Sequence, residues 1–108
     1  MGKSQRSKGR RGETQAKELL TDRDYTILAD TSAGVSQCDL LAQCPEGKVW
    51  AVEVKNTKSI NVSAHRKQAI AQSGKLPWLL LCKIDGTSSW LVLRYGMTAV
   101  WHEKGGGV

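Results

Sequence analysis

Phenylalanine is absent from this sequence, proline occurs only twice, and the three cysteines form no Cys-x-x-Cys pair. An odd set at positions 38, 44 and 82, with no secretion signal before it, excludes a disulfide framework and reads as reduced thiols of a cytoplasmic protein. A zinc site built from Cys38, Cys44, His65 and His102 would need unusual ligand spacing. The longest apolar run, Trp78 to Cys82, falls far short of the roughly 20 residues that span a bilayer. No internal repeat is present. With 108 residues the chain can close one modest core and no more.

Positive charge is abundant by contrast. Sixteen Lys and Arg against ten Asp and Glu leave a net charge of +6, which favours a polyanionic partner and nucleic acid first. Lys3, Arg6, Lys8, Arg10 and Arg11 crowd a start with no apolar residue after Met1. No hydrophobic segment follows them, so they are not a signal peptide. Residues 1–11 read as a flexible basic arm suited to backbone phosphates, 12–104 as a single domain, and 105–108 as a frayed tail.

Within the domain, Gly12, Ala16, Leu19 and Leu20 carry the i, i+4, i+7, i+8 stripe of a helix over "GETQAKELLTDRDY". "YTILA" reads as a strand and "DTSAGVSQ" as a polar loop. "CDLLAQC", "KVWAVEVK", "WLLLCKI" and "SSWLVLRYG" follow as strands. Between the second and third of these, "SAHRKQAIAQSG" is a helix, with Ser63 as N-cap and Gly74 just past its end. This order predicts an α/β fold, a small mixed β-sheet flanked by helices.

The stretch between "CDLLAQC" and "KVWAVEVK" contains Pro45, Glu46 and Gly47, a hairpin signal. A loop of three or five residues sets Leu40 opposite Val52 and Asp39 opposite Glu53; an even loop destroys that pairing. In the odd register Leu40, Trp50, Val52 and Val54 face the core, while Asp39, Glu53 and Lys55 share the other side. Opposed side chains lie about 4.5–5.5 Å apart, where like charges repel. A divalent cation reverses that sign, and the oxygen donors suit Mg²⁺, with Mn²⁺ as substitute. Lys55, about 6.6 Å along the strand from Glu53, can orient water or neutralise a phosphoryl group. Glu13 borders the stripe of the first helix, where the helix dipole favours an acid and a metal would find a third carboxylate. His65, Arg66, Lys67 and Gln68 lie on the second helix, where they can meet phosphates or solvent alike, and nothing in the sequence supplies an orienting partner for His65 as a general base.

Asp39 followed by Glu53-Val54-Lys55 resembles the PD-(D/E)XK nuclease signature, with Cys38 in place of the proline. From "KGRRGETQAKELL" to "PWLLLCKIDGTSSWLVL" the chain is similar to archaeal-type Holliday junction resolvases. Thr14 stands where that family often has arginine, no aromatic residue lies on the second helix, and "TSAGVSQ" is longer than the corresponding loop. The resemblance implies a restriction-endonuclease-like core and a homodimer that uses Mg²⁺ to nick a four-way DNA junction symmetrically. It implies Asp39, Glu53, the Val54 carbonyl and Glu13 around the metal, with Asp39, Glu53, Lys55 and Glu13 as the catalytic set. The arm residues, with Lys58, Arg66 and Gln68, would hold DNA, and no membrane or small-molecule cofactor is expected. Such a compact enzyme suits the cytoplasm, encoded by a cell or a phage. The alternatives are a VRR-NUC-type or restriction-like nuclease on flaps or duplexes, and a non-catalytic DNA-binding module.

Overall fold

A computed structural model describes residues 2–30 and 38–104, with side chains from residue 12 onward. The loop expected at 30–37 (apart from Asp30), the side chains of the basic arm and the tail at 105–108 lie outside the described residues. The chain order is α1 (Gly2–Thr21), β1 (Thr26–Asp30), β2 (Leu40–Gln43), β3 (Val49–Lys55), α2 (Val62–Ser73), β4 (Trp78–Lys83), β5 (Ser89–Arg94) and β6 (Met97–His102). The strands form one sheet in sequence order. Every neighbouring pair is antiparallel except β3 and β4, which are parallel and joined through α2. The expected mixed sheet flanked by helices is therefore present.

Sheet and helices make three layers because alternate strand residues have different covers. On one face Leu40, Val52, Leu79, Leu81, Trp90 and Val92 pack under Ala16, Leu19 and Leu20 of α1. On the other, Leu80, Cys82 and Leu93 pack under Ala69 of α2. Gly12 is buried as its stripe predicts, and a Cβ there would lie 2.9 Å from the Asn56 Cβ. Only glycine lets the helix approach the end of β3 this closely.

Three local expectations differ from the structure. The backbone of the basic stretch expected as an arm is the first half of α1, since its Lys, Arg and Gln are good helix formers and no proline interrupts them. The N-cap of α2 is Asn61, not Ser63: the Asn61 side-chain oxygen accepts from the Ala64 amide at 3.1 Å. Two capping-type residues two positions apart competed, and the one placed to reach the amide three positions on prevailed. Finally, β6 was not anticipated. It returns along β5 through a Tyr95-Gly96 turn with Gly96 at φ 74°, and Glu103 just beyond it bonds to Lys83 and to the Trp90 indole.

Candidate active site

The β2–β3 hairpin closes with the Cys44 amide donating to the Lys48 carbonyl at 2.9 Å, a three-residue loop. Gly47 takes φ 93° to make the turn. The ladder then runs Gln43 opposite Val49, Ala42 opposite Trp50, Leu41 opposite Ala51 and Leu40 opposite Val52. One step further, Asp39 and Glu53 come together. Their carboxyls share a hydrogen bond, and the second Asp39 interaction is a bond from the Val54 amide to Oδ2 at 2.7 Å. The two acids lie on the same side of the strand.

Glu53 is only 3% exposed. Its neighbours across the parallel ladder are Leu80, and Cys82 beside Lys55, so it sits on the α2 face. Burial, the hydrogen bond to Asp39 and the charge of Asp39 push its carboxyl up to about 8, with Glu13 adding to the rise. Lys55 opposes it, with Nζ 4.0 Å from Oε1. At that distance the amine tempers the repulsion without forming a close bridge. The raised Glu53 carboxyl favours its protonated form near neutral pH.

His65 joins this group. Burial and then the Lys55 charge hold its imidazole below the usual histidine range, favouring the neutral ring, and Nε2 is buried with no hydrogen-bond partner among the described residues. The sequence left His65 among solvent-facing helix residues. Its spacing of four from the buried Ala69 was the available sign that it faces the sheet. Gln68 is half-buried on the same side of α2, whereas Arg66 and Lys58 are exposed. Glu13 acts on Glu53 through its charge. Among the described residues no three His, Cys, Asp or Glu are gathered closely enough to cage a metal ion.

The family model for NERD, the nuclease-related domain, matches residues 8–78, well over half of the chain. The chain belongs to the nuclease-related domain family. That places it in a nuclease superfamily of the PD-(D/E)XK-like kind. The matched span of this nuclease-related domain contains Glu13, Asp39, Glu53, Lys55 and all of α2. No curated protein and no solved structure matches the chain. No helix among the described residues is long and apolar enough to cross a membrane.

The donor set fits a small divalent cation. Two hard carboxylates side by side, one buried and pushed up in part by the charge of the other, are the chemistry that Mg²⁺ or Mn²⁺ would relieve. A site with only two protein carboxylates also suits Mg²⁺, which keeps several of its waters.

Proposed function

We propose that this nuclease-related domain is a Mg²⁺-dependent endodeoxyribonuclease that cuts branched DNA, the four-way junction foremost, as a homodimer. The observation that carries the reading is the pairing of Asp39 with the buried Glu53, whose carboxyl is pushed up to about 8 beside Lys55. A strand that served only to stabilise the sheet would gain nothing from two repelling acids at a ladder position.

In this reading Asp39 and Glu53 hold the cation, and Val54, whose amide is tied to Asp39, adds its carbonyl. Glu13 contributes through a water molecule. When bound, the cation supplies Lewis-acid stabilisation of the phosphoryl oxygens and lowers the pKa of its water. Lys55 holds the attacking water toward phosphorus and offsets charge on the phosphodiester. The neutral His65 imidazole flanks Lys55 and can accept a hydrogen bond from it or from that water. Exposed Lys58 and Arg66 hold the DNA backbone, which sets its position without reading sequence, and Gln68 joins them on the same helix. Lys3, Arg6, Lys8, Arg10 and Arg11 extend the phosphate-binding charge.

The four-way junction is favoured by the run of similarity to junction resolvases along most of the chain. One chain carries one acid pair, so symmetric nicking requires two copies, and a two-fold dimer matches a two-fold substrate. Cleavage of junction, flap and linear duplex in Mg²⁺ and in EDTA tests this directly. The account expects metal-dependent nicks paired across the junction. Equal cutting of all three substrates would refute junction preference, and tight, salt-sensitive binding without any cleavage would refute the nuclease reading.

A further inference from the structure

The sheet carries a second concavity that the acid pair does not use. It is a cavity of about 230 Å³ on the α1 face, walled by Tyr25, Trp50 and Trp101 and floored by Leu79 and Ala99. Trp50 lies three residues before Glu53, so the cavity is about 10 Å back along β3. It also lies on the opposite face of the sheet, because side chains alternate.

Three observations define its chemistry. The walls are flat and aromatic, with the Tyr25 and Trp101 rings 6.2 Å apart. The rings already carry cations from the chain itself: Arg23 sits 4.3 Å from the Trp101 centroid, and Lys48 and Arg94 sit 4.7 and 5.2 Å from that of Trp50. Trp50 is 5% exposed, and its buried indole N–H has no hydrogen-bond partner among the described residues. An unpaired buried donor is uncommon and costs stability.

An aromatic cage with one acid, Glu46, at its edge would ordinarily suit a quaternary ammonium. Here three cations, Arg94 in the cavity wall with Arg23 and Lys48 on the Trp101 and Trp50 rings beside it, outnumber that acid, so a positive ligand is repelled. What remains complementary is a flat, acceptor-bearing ring with a negative group attached. The volume is below the roughly 300–1,000 Å³ of pockets for drug-sized ligands, which limits the occupant to one ring system and a small substituent. We propose that this cavity binds a nucleobase carrying a phosphate. The base lies against Tyr25 and Trp101 over Leu79 and Ala99, and Arg94 in the cavity wall takes the phosphate, with Arg23 and Lys48 adding positive charge beside it. The same chemistry is presented by a free 5′-mononucleotide and by an unpaired base within a DNA strand. Either way the site is separate from the acid pair and does not depend on its chemistry.

The test is calorimetric titration of the full chain in EDTA with 5′-dGMP, inorganic phosphate, tetramethylammonium and a short single-stranded oligonucleotide. Saturable binding of dGMP, with phosphate alone at least about tenfold weaker, is expected. Trp101→Leu should weaken it by roughly tenfold or more, the scale of losing one base–aromatic stack. Arg23→Ala, at an exposed position, should weaken it several-fold, and it keeps the proposal testable if Trp101→Leu fails to fold. An oligonucleotide that binds more tightly than dGMP and loses affinity equally in both variants assigns the site to an unpaired base of a strand. Binding confined to dGMP assigns it to a free nucleotide. Asp39→Asn should leave this binding unchanged, so failure of the nuclease reading and failure of this one are distinguishable. No saturable binding of either ligand, equal binding of phosphate and dGMP, preference for tetramethylammonium, or wild-type affinity in both variants would overturn the proposal.

Discussion

Two lysine–glutamate pairs are embedded in the same sheet, and their acids are driven in opposite directions. Lys83, at the end of β4, makes direct contact with Glu103, whose Oε1 also accepts the Trp90 indole N–H at 2.9 Å. Burial opposes ionisation of Glu103, but the bonds from Lys83 and Trp90 outweigh it and hold the carboxyl below its usual range. Lys55 and Glu53 are 4.0 Å apart. There burial and Asp39 prevail, and the carboxyl is pushed up to about 8. The first pair is a completed structural bridge that pins the end of β6. The second lacks a positive charge, although a lysine stands beside it, because two acids share one partner. What separates a stabilising pair from a reactive one is whether the neighbours complete it.

The largest expected consequence is on cleavage. Under the proposed function, Asp39→Asn should reduce Mg²⁺-dependent nicking by on the order of 10²–10³-fold or more, since a bound metal would be worth several kcal/mol to charge development. Glu103→Gln should leave nicking per folded molecule unchanged; gel-based rates of both variants provide the check.

On stability the order should invert. Glu103→Gln leaves a largely buried lysine without its partner and should cost about 2–3 kcal/mol, lowering the melting temperature by roughly 10 °C or more for a domain of this size. Glu53→Gln replaces a carboxyl that is costly to ionise there with a neutral side chain able to bond Asp39, and should melt at or above the wild-type temperature in EDTA. A melting temperature for Glu53→Gln well below that of Glu103→Gln would break the contrast.

The two acids should also give opposite pH slopes. Glu53 is raised in the folded state, so its contribution is fully present below the unfolded carboxylate pKa and is lost as pH rises toward about 8. Glu103 is lowered, so its contribution is present above the unfolded value and is lost as pH falls through its folded one. In EDTA, denaturant melts between pH 5 and 8 should show stability declining in the wild type and a flatter profile in Glu53→Gln. Melts below pH 5 should show the acid-side loss diminished in Glu103→Gln.

The smallest effect concerns the helix that brings Glu13 near. Gly12→Ala gains about 1 kcal/mol of helix propensity but meets the Asn56 Cβ at 2.9 Å, which forces α1 from the end of β3. A net loss of about 1 kcal/mol is expected by chemical denaturation, and a stabilised variant would show that the close approach is dispensable.

Much of the acid pair was legible because it depends on local rules. An odd hairpin loop sets the β2–β3 register, and the register alone brings Asp39 to Glu53. The Gly12, Ala16, Leu19 and Leu20 stripe likewise locates the packed face of α1. What escaped depends on partners distant in sequence. The edge strand β6 alternates half-buried with exposed residues, so it carries no apolar run, and its end is secured by Lys83 and Trp90. The cavity at Trp50 gathers residues from four strands and two connections, and no sequence window contains them. His65 lay between these cases: its helix was evident, but its closeness to Lys55 followed from the β3–α2 packing.

The most direct test of the central proposal, that the Glu53 carboxyl beside Asp39 keeps a proton which a divalent cation displaces, is the proton released on Mg²⁺ binding. It is measured calorimetrically at pH 7 in buffers of different ionisation enthalpy. The account predicts release approaching one proton per cation, absent in Glu53→Gln and unchanged in Glu103→Gln. Mg²⁺ binding with no proton release, or no binding at all, would contradict it.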